Sequence, residues 1–434
     1  VSKLLRFSDP GFERKFQAIV AARRDRPVNV QDAVRAIIGD VRDRGDEALF
    51  EYTARFDRVD LVKQGLTIPK DDMEKAYAEL SMELKSALGV AHERIEKHHR
   101  RQIPADDSYR DAIGAELRSR WTALDSVGLY VPGGKASYPS SLLMNAIPAK
   151  VAGVKRVVMV APTPDGITNP VVLAAAYLAG VDEVYRIGGA QAVAALAFGT
   201  ASIAPVTKIV GPGNAYVAEA KRQVFGVVGI DMIAGPSEVV VVADNKANPE
   251  WLAADLLAQA EHDEAAQSIL ITDDEATAEK TIAAVEAELR RMPRQAIAAK
   301  SWADHGFVIL AGDIMRDAPP LINALAPEHL ELSCDMAEEL LPFVRNAGAI
   351  FIGHYTPEAV GDYVAGSNHV LPTARAARFS SGLGVLDFMK RTSVLKLDAD
   401  ALAALAPATM ALAAAESLDG HRRSVEIRLK PKER

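Results

Sequence analysis

The residues best suited to chemistry begin with Gln259 and His262, three apart in Trp251-Leu-Ala-Ala-Asp-Leu-Leu-Ala-Gln259-Ala-Glu-His262. On a helix both project from one side, and an amide oxygen with an imidazole nitrogen could share a metal ion. A solvent-facing helix end would carry the same two residues, so the pair gains meaning only with partners. Asp362, between Gly361 and Tyr363, and His421, after Asp419-Gly420, could complete an N/O coordination sphere of the kind zinc accepts. Each also fits a plainer role, Asp362 as a turn or cap residue and His421 as a surface side chain. Glu328-His329 follows Pro327 directly. A neutral imidazole can take a proton from an alcohol near neutral pH, and a partly desolvated carboxylate can activate water. Such pairs also occur without a catalytic role. Cys334 has no basic neighbour in Leu332-Ser-Cys-Asp335 to lower its pKa, which disfavours a thiolate nucleophile. His369, in Asn368-His-Val-Leu-Pro372, is expected to fix a loop through hydrogen bonds rather than to bind a metal.

Glycine-rich junctions form the second group. No G-x-G-x-x-G fingerprint stands at a strand-to-helix junction, yet Gly188-Gly-Ala-Gln191 and Gly211-Pro-Gly-Asn214 each follow an expected strand and open an expected helix. Backbone N–H groups at such junctions suit a phosphate, and two in one unit favour a nucleotide site over bare turns. Tyr130-Val-Pro-Gly-Gly134 and Ala234-Gly-Pro-Ser237-Glu238 read as turns when taken alone.

The elements that must position these residues are legible in the apolar periodicity. Val30–Arg44 and Met73–Lys97 carry apolar residues at helical spacing among charges. From Arg156 the pattern becomes alternating strands and helices: strands at 156–161, 183–187, 208–210 and 238–243, with helices at 170–179, 190–198 and 214–225. A second series follows, with helices at 249–262 and 275–291 and strands at 268–272 and 307–310. Such alternation indicates βαβ units and mainly parallel sheets. The tail reads as a helix from Asp398 to Ala415, then a polar strand-like segment, Ser424–Arg428.

With 434 residues, 49% hydrophobic and 25% charged, the chain sits in the ordinary globular range. A formal charge of −8 argues against a nucleic-acid partner. The mixed-charge run His92–Arg101 reads as a solvated helix face. One cysteine excludes an internal disulfide framework, residues 1–10 contain no apolar core of signal-peptide length, and Pro407 interrupts the most apolar stretch. The expectation is a cytoplasmic protein that binds neither nucleic acid nor membrane.

Taken in chain order, Val127–Gly134, Tyr138–Asn145, Gly188–Gln191, Gly211–Asn214, Ala234–Glu238, Ala258–Asp263, Pro327–Leu330, Gly361–Tyr363 and Asn368–Pro372 resemble the histidinol dehydrogenase family, from about residue 10 to the end. The resemblance implies an α/β fold of two tandem incomplete Rossmann-like domains with parallel sheets, plus small helical N- and C-terminal extensions that mediate a domain-swapped dimer. Its expected divisions are an N-terminal helical arm (1–23), a first α/β domain with the zinc and catalytic residues (24–129 and 238–380), a second α/β domain for NAD⁺ (130–237) and a dimerisation tail (381–434). It implies oxidation of L-histidinol to L-histidine through L-histidinaldehyde, with two NAD⁺ and one Zn²⁺ per subunit. Gln259, His262, Asp362 and His421 of the partner subunit would be the zinc ligands, and would also border the substrate. Tyr130, Gln191 and Asn214 would meet NAD⁺, and Ser237, His329 and Glu416 the substrate, Glu416 also being expected across the dimer interface. Glu328 and His329 would be the proton-transfer pair. Ser367 stands where the family often has Pro, and Ser417 where Gly is usual. The alternatives are a related zinc and NAD⁺ dehydrogenase of another polar alcohol, such as a sulfonated diol, and a zinc hydrolase.

Overall fold

Short Val- and Ile-rich runs such as Arg156-Val-Val-Met-Val160 and Glu238-Val-Val-Val-Val-Ala243 bury nearly every residue, as strands of a parallel sheet covered on both faces must. The computed structural model describes residues 3–22, 30–133 and 138–429. Residues 24–29 of the expected first domain, Gly134 of the Tyr130–Gly134 elbow, and the ends of the expected arm and tail lie outside the described residues. In chain order the strands are β1 (Leu4–Arg6), β2 (Asp107–Arg110), β3 (Glu116–Ala123), β4 (Ser126–Tyr130), β5 (Arg156–Val160), β6 (Glu183–Tyr185), β7 (Lys208–Val210), β8 (Gly229–Ile230), β9 (Glu238–Ala243), β10 (Gln267–Thr272), β11 (Phe307–Leu310), β12 (His329–Ser333), β13 (Ala349–Ile352) and β14 (Met389–Lys396).

Two parallel sheets follow the same plan. One is ordered β6-β5-β4-β7-β8; the other is β11-β10-β9-β12-β13 with β1 added outside β11. In each series the first strand lies between the second and the fourth, so the winding direction reverses beside it. That reversal opens a crevice at the strand ends, where ligands of such folds bind. Residues 231–237 lead from the carboxyl end of β8 to the amino end of β9. Fully extended they span at most roughly 25 Å. The carboxyl edge of one sheet is therefore tethered closely to the amino edge of the next.

Alternation along β9 shows how both faces are filled. Val240 and Val242 join Phe12, Phe16, Ile314 and Leu321 on one face. Val239, Val241 and Ala243 join Leu252, Leu256 and Trp302 on the other. Each such valine, moved fully out of water, contributes about 1.5–3 kcal/mol.

The elements depart from the sequence reading in several places. The expected N-terminal helical arm contains β1, which pairs with β11, before the helix Phe12–Ala21. Three residues are too few to show a strand period. The helices Gln31–Arg44 and Asp46–Asp57, expected with 238–380, pack on the five-stranded sheet and its helices: Val34, Ile37, Ile38, Val41 and Leu49 join Val158, Val160, Val193 and Val217. The expected helix Met73–Lys97 is two, Lys70–Glu79 and Met82–Arg100, separated where Ser81 caps the second by accepting from Leu84 N (3.2 Å). The face read as solvated includes buried His99, whose Nδ1 lies 2.8 Å from Ile95 O.

The chain forms two compact units, Val1–Gln102 with Asp125–Phe388, and Ile103–Leu124 with Met389–Arg434. The second contains the antiparallel sheet β14-β3-β2, with Met389 opposite Ala123 and Lys396 opposite Glu116, and two helices, Ala399–Ala415 and Asp419–Glu426. The tail expected to be helical thus begins with a strand, and the expected strand Ser424–Arg428 is largely helix. Arg422 bridges Asp419 (2.8 Å) and Glu426 (3.3 Å), pairs spaced for a helix that outweigh the strand preference of Val425 and Ile427. No helix among the described residues is long and apolar enough to cross a membrane.

Candidate active site

At the carboxyl edge of the five-stranded sheet, the junctions singled out in the sequence surround the crevice beside β4. Tyr130 ends β4, Gln191 lies in the first turn of the helix Gly189–Phe198, and Asn214 caps the helix Ala215–Val224 by accepting from Tyr216 N (3.0 Å) and Val217 N (3.2 Å). Tyr130 is buried, and burial pushes its hydroxyl up to about 12, so it stays protonated; its oxygen accepts from Gly189 N at 3.0 Å. Gly211 is obligatory by shape. Its φ is +111°, and a Cβ there would stand 2.2 Å from Tyr130 O. The structure therefore brings Tyr130, Gln191 and Asn214 to one strand edge with two helix N-termini, a setting suited to a dinucleotide.

The second cluster lies at the opposite edge of the other sheet. His329 is the first residue of β12 and Glu238 the first of β9, paired neighbours whose registers differ by one residue. His329 Nδ1 lies 3.2 Å from Glu238 O, and because a carbonyl only accepts, Nδ1 carries the proton. Nε2 is the nitrogen that gains or loses a proton as the ring titrates; it is buried and lies 3.5 Å from Asp362 Oδ1. Glu328 accepts from Glu238 N at 3.1 Å and lies 3.8 Å from His329 Nδ1. Burial pushes Glu328 up to about 7, against the opposing pull of His329. Burial would push His329 down, yet Glu358, Glu328 and Asp362 hold it well above the usual imidazole value.

Glu358, which sequence reading missed, is the central addition. It and Asp362 are four apart on the short helix Glu358–Tyr363, so both face the same way. Glu358 Oε1 is 3.6 Å from His329 Nδ1 and is pushed up to about 8 by burial. Its backbone N–H donates to Glu331 Oε1 at 2.6 Å, and Glu331 in turn pairs with Asp255. The helix can lie close because residue 361 is Gly; a Cβ would meet Phe351 Cε1 at 2.4 Å. The spacing of Glu358 from Asp362 was the available signal, and it is weak in so short a helix.

Gln259 lies in the last turn of the helix Pro249–Ala260, beside this cluster. With its amide nitrogen turned toward Glu358 it donates to Oε1 at 2.7 Å and lies 3.3 Å from His329 Nδ1. His262 follows one turn on, its N–H donating to Gln259 O at 3.2 Å. Burial lowers its pKa and keeps the imidazole neutral, the form that binds metals, and it feels the charge of Asp362. One imidazole, one amide and one carboxylate, beside the unpartnered His329 Nε2, fit a zinc ion. His329, Glu358 and Asp362 also offer donor atoms within 4.8 Å of one another. His369 does what the sequence suggested: Nδ1 donates to Asp362 O (2.8 Å) and Nε2 lies 3.2 Å from Ser141 Oγ, leaving neither nitrogen for a metal. Ser237 immediately precedes β9, at the end of the 231–237 connection. Glu416 and His421 belong to the other compact unit, Glu416 ending the helix Ala399–Ala415 and His421 in Asp419–Glu426, both exposed.

Cys334 lies past the far end of β12 from His329, and strand rise alone puts them roughly 16 Å apart. Burial, with Asp244, Asp273 and Asp335 around it, pushes its thiol up to about 12, so no thiolate is available near neutral pH. Cys334→Ala is expected to retain activity within about threefold; a loss beyond about 10²-fold would restore the thiol as a nucleophile. The nearby group Asp244, Asp335 and His354 is also spaced for a metal, but Lys246 already pairs with Asp335, and Asp244 accepts from Asp335 N (2.8 Å).

The family model described as Histidinol dehydrogenase matches residues 21–429. The chain is 61% identical over 425 residues to the histidinol dehydrogenase of Brucella suis biovar 1, covering 98% of this chain and 99% of that one. It is 59% identical to that of Rhodospirillum rubrum, covering 98% of each. The crystal structure of histidinol dehydrogenase from Elizabethkingia anophelis superposes with a TM-score of 0.93 at 35% identity, covering 98% of both chains. A buried acid–base pair at one sheet edge, a glycine cradle at the other, and relatedness along nearly the whole length lead to one assignment: the chain belongs to the histidinol dehydrogenase family.

Proposed function

We propose that the protein oxidises L-histidinol to L-histidine through L-histidinaldehyde, reducing two NAD⁺. The observation that carries this reading is the buried His329, flanked within 3.8 Å by Glu328, Glu358 and Asp362 and joined to the glycine cradle through residues 231–237. Tyr130, Gln191 and Asn214 hold NAD⁺ in the half formed by 130–237, and the half formed by 238–380 carries the chemistry. Ser237, at the end of the connection, and the partner subunit's Glu416 contact the substrate. Gln259, His262, Asp362 and the partner subunit's His421 hold one zinc per subunit and border the substrate. When bound, zinc fixes the imidazole and amine of the substrate and opposes the carboxylates that raise the pKa of His329, while NAD⁺ accepts the hydride.

The chain's own residues then divide the proton work. His329 Nε2 takes the alcohol proton, with Nδ1–H anchored on Glu238 O so that the ring cannot turn. Glu328, held by Glu238 N and poised at about 7, takes a proton from the water that adds to the aldehyde. The buried setting of both groups limits exchange of the aldehyde with solvent. Counting NADH formed per histidinol consumed tests the reading. Two, with histidine as product, is expected; one, with free aldehyde accumulating, or none, would sink it.

A further inference from the structure

We propose that the buried Lys221–Asp231 ion pair is a positioning device that sets the Gly211–Asn214 turn for the pyrophosphate of NAD⁺, governing cofactor affinity without touching the cofactor. Lys221 lies on the inward face of the helix Ala215–Val224, and Asp231 follows β8; their side chains are 3% and 1% exposed. Both charges converge on one residue. Lys221 Nζ donates to Gly211 O at 3.0 Å, Gly211 N donates to Asp231 Oδ2 at 2.8 Å, and Lys221 pairs directly with Asp231. Each polar group of Gly211 is thus held by one member of the pair.

This clamp acts where the backbone has least choice. Gly211 sits at φ +111° against Tyr130 O, and Gly213 comes so close to the next helix that a Cβ would be 2.4 Å from Val217 Cγ1. With glycine at 211 and 213, two of the four residues of the turn have no side chain to fix the direction of the backbone. The pair supplies that direction. Stability alone does not account for it, because a buried ion pair is commonly replaceable by apolar residues of similar volume at no cost. What apolar residues cannot do is hold the N–H and C=O of Gly211 at the same time. Asp231 also opens the connection 231–237, so the pair ties the cradle to the segment leading to the catalytic edge.

The inference rests on the reading of this turn as the NAD⁺ site, and the test separates the two. In purified protein, Lys221→Met with Asp231→Leu removes both charges together and avoids stranding one. It is expected to raise KM for NAD⁺ about tenfold or more, the weight of one or two hydrogen bonds, while leaving KM for histidinol and kcat at saturating NAD⁺ within about twofold. Asn214→Ala is the companion, expected to raise KM for NAD⁺ through the helix cap itself. An unchanged KM for NAD⁺ in the double variant, with a raised KM in Asn214→Ala, overturns the inference and leaves the site standing. No change in either overturns both. A lowered Tm with every kinetic constant unchanged would make the pair merely structural and also overturns it. Should the double variant not fold, Lys221→Met with Asp231→Asn carries the same comparison, since it also removes both charges, keeps an acceptor oxygen for Gly211 N and releases only Gly211 O.

Discussion

Glu328→Gln is expected to spare oxidation of histidinol to the aldehyde within a few-fold while lowering oxidation of the aldehyde by about 10² or more, and His329→Asn to lower both by about 10²–10⁴. The asymmetry follows from where each group points. His329 has one nitrogen committed to Glu238 O and the other 3.5 Å from Asp362, so once the charge of bound zinc offsets the surrounding carboxylates and the ring is neutral, it is the group placed to receive a proton from substrate in either step. Glu328 has one oxygen fixed on Glu238 N, and burial brings its pKa to about 7, which suits a base for water and is not needed to deprotonate the alcohol. The sign of the pH dependence follows. Below about 7 Glu328 holds a proton and cannot accept another, so aldehyde oxidation should rise as pH passes upward through that region. In Glu328→Gln that rise should vanish from whatever activity remains. Rates measured with histidinol and with separately supplied histidinaldehyde, across pH, decide the matter. Equal losses for Glu328→Gln in both half-reactions would end the division of labour.

Much of this arrangement was legible in the sequence, for identifiable reasons. Buried parallel strands are nearly continuous apolar runs, so β5, β9 and β10 could be placed to within a residue. Glycine junctions marked the cradle because Gly211 must adopt a positive φ against Tyr130, a constraint that leaves its mark as glycine followed by a helix cap. Polar, exposed elements were harder. Nearly all of Met389–Lys396 is exposed, so no buried face imprints an alternation, and only pairing with Glu116–Ala123 defines it as a strand. Which sheet the helices Gln31–Arg44 and Asp46–Asp57 cover was also hidden, because amphipathicity says that a helix has a partner and not which partner. Glu358 escaped notice for a related reason: its importance lies in Gln259 and in His329 and Glu331 of β12, brought from two other places in the chain.

Mixing two inactive variants should restore activity if His421 of the partner subunit completes the zinc site. On the proposed ligand set, Gln259, His262 and Asp362 lie in the first compact unit, three donors against the four that a closed zinc site uses, while His421 lies in the second unit. His262→Asn and His421→Asn alone should each lose bound zinc and nearly all turnover, by about 10² or more, because a ligand set of N and O donors has little affinity to spare. In a dimer with one chain of each kind, donation across the interface puts both substitutions into one site and leaves the other with native His262 and native His421. Random reassociation makes half of the dimers mixed, each with one intact site, so recovery should approach about one quarter of native activity, with zinc content rising in proportion. Donation within a chain predicts something different. Every site would then contain one substitution whatever its partner, and mixing would recover nothing above the parents. The two arrangements therefore differ by far more than assay error, and an affinity tag on one variant, used to isolate mixed dimers, distinguishes a failed reassociation from a site that is complete within one chain.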